Sequence, residues 1–187
     1  MKRQHQLVLV GSTLAFSWLV MQAVHELGHV MAAVTSGGQV DYVLLHPTAI
    51  SHTRLATNPH PLFVVWMGPL VGVGLPLAVA AFARWLATPG WYLAQFFAGF
   101  CLVANGAYLA FGSLGAVGDA GDMLRYKSPV WLLWLFGAVT IPSGLWLWNG
   151  LGQHFGLGSS RGQVNGTTAY FLLGLVVLIV ALELVLA

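Results

Sequence analysis

From Leu7 to Thr35 the sequence is one apolar run in which only three residues, His25, Glu26 and His29, can carry charge. The run is longer than the roughly 20 residues that a helix needs to cross the hydrocarbon core of a bilayer. Inside such a span every backbone N–H and C=O must be satisfied within the segment, so the run is expected to be helix. Ionisable side chains in that setting cost about 3 kcal/mol each on insertion scales, and they mark a partner or a task. On a helix, His25 and His29 stand four residues apart on one face and can reach a single metal ion. Glu26 is rotated from His25 by about 100° around the helix. From there it can reach a water on that metal without being a ligand itself. Two neutral nitrogen ligands, an open position and a carboxylate base are what a zinc hydrolase requires.

Accident is a poor explanation. Seven histidines and two glutamates, Glu26 and Glu183, give roughly 0.003 chance occurrences of this pattern per chain. The competing reading is a pair of packed histidines satisfied by hydrogen bonds between helices, with Glu26 in a buried ion pair. It carries the membrane cost of all three groups with no chemistry to account for them, and the metal reading is preferred.

The remainder of the chain makes a soluble domain untenable. Of its 187 residues 58% are hydrophobic and 6% charged, and the mean hydropathy is +0.80. We expect an all-α polytopic membrane protein, a single domain over residues 1–187, with about five to six transmembrane segments and a small membrane-associated β-hairpin or strand after the first helix. The net charge of +2 is small and scattered, which argues against a nucleic-acid partner. Cys101 is the only cysteine, so neither a disulfide framework nor a cysteine-ligated zinc is available. The start, Met1-Lys2-Arg3-Gln4-His5 before an apolar run, has the look of a signal peptide. The run continues through the histidines without an Ala-x-Ala site, so a retained helix is expected.

Gly37-Gly38 ends the first helix. Residues 39–60 are the most polar internal stretch, and Val40, Tyr42 and Leu44 alternate with Gln39, Asp41 and Val43. A strand or hairpin is expected there, then loop through Asn58-Pro59-His60-Pro61. A second span follows from about Leu62 to Leu86, its Gly68, Pro69, Gly72, Gly74 and Pro76 permitting a kink and close helix contact. A third, from about Trp91 to Leu114, holds Asn105 as its strongest polar residue. The glycine-rich stretch Gly115 to Lys127 then carries Asp119 and Asp122, the only aspartates besides Asp41. Two histidines need a third ligand and carboxylate is the usual one, which makes these two the candidates; a surface loop with a capping aspartate is the plainer alternative. Two further spans are expected, at about Pro129–Trp148 and Thr167–Leu186. Between them residues 149–166 read as a flexible connector with a solvated His154, and Glu183 is expected near an interface or paired with another helix.

His25-Glu26-Leu27-Gly28-His29 in a first membrane helix resembles the H-E-x-G-H motif of the site-2 protease family of intramembrane zinc metalloproteases; Gly28 goes beyond what a generic H-E-x-x-H requires. Met67-Gly68-Pro69-Leu70 resembles that family's Gly-Pro-Leu segment. Asp119-Ala120-Gly121-Asp122-Met123-Leu124 is similar to its Asp-Gly-Gly-x-Ile-Leu element, with alanine for the first glycine. The likeness covers residues 10–127, the core of the domain, and leaves the last two spans as additions. It implies one Zn²⁺ per chain on His25, His29 and Asp119, with Glu26 as the base. It implies hydrolysis of peptide bonds in or near the transmembrane segment of a single-pass membrane-protein substrate. A strand edge over residues 39–46 would hold the unwound substrate. The family's Asn-x-x-Pro before the aspartate is missing, since residues 111–114 read Phe-Gly-Ser-Leu. Asn105 is therefore the candidate second donor to the oxyanion.

The expected setting is a prokaryotic cell membrane, crossed several times. No PDZ-like or nucleotide-sensing insertion is present, so control by such a module would have to come from elsewhere: a homo-oligomer or a regulatory membrane partner. Two other classes compete. A non-proteolytic membrane metal-binding protein or transporter would bind metal with no cleavage depending on Glu26, and a structural membrane partner would hold no metal. Orientation stays open: Lys2, Arg3 and Arg84 oppose Arg54, Arg125 and Lys127, and a crossing by residues 119–128 would invert the last two spans.

Overall fold

In the computed structural model, which describes residues 2–186, the first apolar run forms one helix, α1 (Lys2–Thr35). Met1 and Ala187, the ends of the expected domain, lie outside the described residues. At 1.5 Å per residue α1 is about 50 Å long, and it begins at Lys2 rather than at Leu7. The extra turn is anchored, because Gln6 Nε2 donates to the carbonyls of Phe155 (3.0 Å) and Gly156 (2.8 Å).

Past Gly37, whose φ of +83° ends the helix in the left-handed region that glycine favours, β1 (Gln39–Leu44) and β2 (His52–Thr57) pair antiparallel. Val40 lies opposite Leu55, and both pack against Ala32 and Ala33 of α1 and against Val64. That contact seats the hairpin on the ends of the first two spans. Asp41 has no register partner, and a bulge of this kind bends and twists the strand.

Four more long helices follow: α2 (Pro61–Trp85), α3 (Trp91–Gly115), α5 (Val130–Trp148) and α6 (Gly166–Leu186). With α1 they make five helices long and apolar enough to cross a membrane among the described residues. Between α3 and α5 lies α4 (Gly118–Arg125), an 8-residue helix. Its length of about 12 Å is well short of a bilayer crossing. Of the expected five to six segments, the described residues thus supply five candidate spans.

Small residues set the helix contacts, as they do where lipid is the solvent. α3 and α5 run antiparallel with Gly99 against Gly144 and Gly106 against Gly137. A Cβ at Gly99 would come within 2.9 Å of the Gly144 carbonyl, and one at Gly137 within 2.9 Å of the Gly106 carbonyl. α6 returns beside α1, where Leu9 packs with Ala169 and Leu172.

Two expectations change. The 149–166 connector carries structure of its own: a short 3₁₀ turn, Leu151–Phe155, buries both its end residues. His154 is half-buried rather than fully solvated and stacks on Tyr92 with centroids 4.8 Å apart and planes 10° apart. The i, i+4 spacing of two apolar residues among glycines was the signal, and the glycines masked it. Glu183 is buried, and its Oε2 has no hydrogen-bond partner among the described residues.

Candidate metal centre

α1 and α2 cross where Gly28 meets Gly68. A Cβ at Gly28 would strike the Met67 carbonyl and come within 2.9 Å of Gly68 Cα. A Cβ at Gly68 would strike the His29 ring and lie 2.9 Å from His25 Nε2. The α2 backbone thus lies flat against both imidazoles, at a distance only glycine permits. Each ring is held from behind. His29 Nδ1 is 2.9 Å from the Val64 carbonyl, and His25 Nδ1 is 2.7 Å from Asn105 Oδ1. A proton on each Nδ1 donates to those acceptors and leaves both Nε2 lone pairs aimed at one point.

Asp119 completes the group. Its Oδ2 lies 2.6 Å from His25 Nε2 and 3.3 Å from His29 Nε2, and the two ring nitrogens are 3.1 Å apart. Delivering a carboxylate there takes a tight reversal after α3. Ala116 and Gly118 adopt positive φ, and a Cβ at Gly121 would strike the Ala116 carbonyl. α4 then starts with Asp119 in its first turn, while Ala120 and Met123 are fully buried beneath it. Alanine is accommodated at 120 because Gly112 faces it; a Cβ on Gly112 would sit 3.2 Å from the Ala120 methyl. When the imidazoles are also protonated on Nε2, their hydrogen bonds and charge outweigh the effect of burial and hold the Asp119 carboxyl well below the usual carboxylate range; a metal ion would take the place of those protons.

Among the described residues His25, His29 and Asp119 form the group that could hold a metal ion. The fit to zinc is close. Tetrahedral zinc with bonds of 2.0–2.1 Å places its donors about 3.3 Å apart. Two of the three separations are already 3.1 and 3.3 Å, and the third, 2.6 Å, needs only a small spread.

Glu26 stays outside the ligand group but lines the same cavity, which measures about 630 Å³. It is 6% exposed, and Thr53 Oγ1 donates to its Oε2 at 2.7 Å. One turn earlier on α1, Gln22 Oε1 accepts the Ser51 backbone N–H at 2.8 Å. The repeats match: four residues of helix advance about 6.0 Å and two of strand about 6.6 Å. The start of β2 therefore lies along the face of α1 that carries Gln22 and Glu26, with both ties made. The hairpin's cavity wall comes from residues 50–53 and Leu55, and 39–46 contribute nothing to it. Of the two strands, β2 is the one that lines the cavity.

Asn105 is placed differently from the expected oxyanion donor. It is 1% exposed; its Oδ1 accepts from His25, and its Nδ2 donates to the Cys101 carbonyl at 2.9 Å. It therefore backs the His25 ring, and it also lines the cavity. Asp122 is exposed at the cavity wall and is not in the ligand group. The sequence reading missed Tyr108, whose hydroxyl accepts the Asp119 backbone N–H at 3.1 Å and which lines the cavity. Its spacing of three from Asn105 puts both on one face of α3, which was the available signal.

Comparison of the chain with family models, with curated proteins and with solved structures gives no match.

Proposed function

We propose that this protein is an intramembrane zinc metalloprotease that hydrolyses peptide bonds in or near transmembrane segments. The observation that carries the reading is Glu26: a buried carboxylate one residue from His25, oriented by Thr53 into the cavity, and not a ligand. A protein that only holds or carries metal has no use for a base in that place.

His25, His29 and Asp119 would hold Zn²⁺, which supplies the Lewis acidity that polarises a scissile carbonyl and acidifies a water. Glu26 takes the proton of the attacking water and delivers it to the leaving amine. Thr53 fixes the carboxylate for both transfers. Tyr108 receives the Asp119 N–H on its oxygen, so its own proton is free to donate to the carbonyl oxygen as charge develops there. Asn105 and the Val64 carbonyl keep the two imidazoles in the tautomer that binding requires. A substrate helix has its carbonyls in hydrogen bonds and must unwind to react; we assign the pairing with the unwound segment to the start of β2, which lines the cavity. The substrate class this favours is a single-pass membrane protein.

The test has two arms on detergent-purified full-length chain: zinc per chain, and cleavage of a membrane-spanning peptide. Glu26→Gln is expected to retain one zinc and to lose cleavage by about 10²–10⁴. Zinc lost on His29→Ala and Asp119→Asn completes the assignment. Bound zinc with cleavage indifferent to Glu26 would move the protein to metal binding or transport, and no zinc in the wild type would leave the histidines as packing groups.

A further inference from the structure

We propose that the recess between the start of α2 and the end of α4 binds the anionic headgroup of a membrane phospholipid. The recess, about 450 Å³, adjoins the metal cavity, with which it shares Pro61 and Tyr126, and is walled further by His60, Leu62, Phe63, Arg125 and Lys127, with Pro59 completing it. Charge is the first argument. Among the described residues neither Arg125 nor Lys127 lies within 4.0 Å of a carboxylate; the ion pair that a Lys or Arg does make is Arg54 with Asp41. Asp122 is one turn before Arg125 on α4 but lines the metal cavity instead of the recess.

Depth is the second. α2 begins at Pro61 and α5 at Val130, so the recess lies at the ends of two candidate spans, the level at which headgroups would stand. Leu62 and Phe63 are exposed just below the basic residues, and Tyr126 and Trp131 are exposed beside them, as aromatic residues are at membrane interfaces. The third is conformation. α4 closes with Ser128 N–H on the Met123 carbonyl and Lys127 N–H on the Leu124 carbonyl, which puts Lys127 at φ +67°. Glycine is the usual occupant of that cap position. A lysine there bears backbone strain to keep a cation in the recess.

An arginine fork and a neighbouring ammonium match a phosphodiester. Inorganic phosphate shares that chemistry, but it has no use for the exposed Leu62–Phe63 wall, whereas an acyl chain descends along it. A headgroup held here would also fix the end of the helix whose first turn carries Asp119.

The full-length chain is reconstituted in nanodiscs of phosphatidylcholine with phosphatidylglycerol, and the lipid retained per chain is counted by native mass spectrometry. Retention of phosphatidylglycerol over phosphatidylcholine is expected. It should fall about fivefold for each charge removed and about thirtyfold in Arg125→Gln/Lys127→Gln. Lys127→Gly separates binding from folding, since it relieves the positive φ: its thermal midpoint should hold or rise while phosphatidylglycerol retention falls. Equal retention of the two lipids, or a double variant that binds as the wild type does, would overturn the proposal. Displacement of phosphatidylglycerol by millimolar inorganic phosphate would overturn the lipid assignment in favour of a free anion.

Discussion

Replacing Asn105 by leucine tests the metal centre where it is least expected to be fragile. The two side chains are close in size, so the buried site behind His25 stays filled while its acceptor is lost. Asn105 Oδ1 sits 2.7 Å from His25 Nδ1, and the residue is 1% exposed, so water does not take its place. His25 then has two courses. It keeps the proton on Nδ1 as a buried donor without a partner, at a cost of about 1–3 kcal/mol. Otherwise it moves the proton to Nε2, where Asp119 Oδ2 lies 2.6 Å away, and the ligand atom is blocked. Zinc has to overcome one cost or the other. At 1.4 kcal/mol per factor of ten, affinity falls about 5- to 150-fold, which brackets the 10- to 100-fold typical of groups that support metal ligands. The assay is zinc affinity by chelator competition in detergent, with the thermal midpoint of the metal-free protein measured beside it. Unchanged zinc affinity with lost cleavage would refute the positioning role and return Asn105 to the oxyanion.

Gly68→Ala drives a methyl into the His29 ring and toward His25 Nε2; zinc content should collapse, with overpacking costing about 1–3 kcal/mol of stability. Gly74→Ala, six residues on in the same helix with nothing within 4 Å of its Cβ, should leave zinc unchanged and stability equal or higher by up to about 1 kcal/mol. Tyr108→Phe should keep zinc but lower kcat by roughly 10²-fold, the usual cost of one oxyanion donor, and an unaltered kcat would remove Tyr108 from the chemistry.

Much of this was readable because the bilayer restricts the alternatives. Long apolar runs had to be helices, and three ionisable groups inside one of them had to be together for a reason. The glycines at 28 and 68 read only as close contact; that they close on the imidazoles themselves depends on a helix crossing that a single sequence does not encode. Asp119 could be separated from Asp122 only through a resemblance, since the choice rests on the helical phase of α4, and that phase follows from a turn built at Ala116 and Gly118. Asn105 was found, but its contact with His25 Nδ1 was not. Polarity in a span announces a partner, but not which side of the ligand it stands on. Tyr108 was passed over because tyrosine in an apolar helix is unremarkable until the Asp119 amide is seen against its hydroxyl.

The hairpin has the same logic as the centre it covers. A two-stranded sheet is marginal alone, and this one is held by the Val40–Leu55 pair on the helix ends and by two polar ties along α1, Gln22 with Ser51 and Glu26 with Thr53. The second tie uses the very carboxylate proposed as base. Displacing the start of β2 would therefore release Glu26, and an incoming strand that paired with β2 without displacing it would leave Glu26 oriented. The cavity wall and the proposed base are in this way set by one contact, so on the proposed function substrate pairing and the alignment of Glu26 would have to be satisfied together.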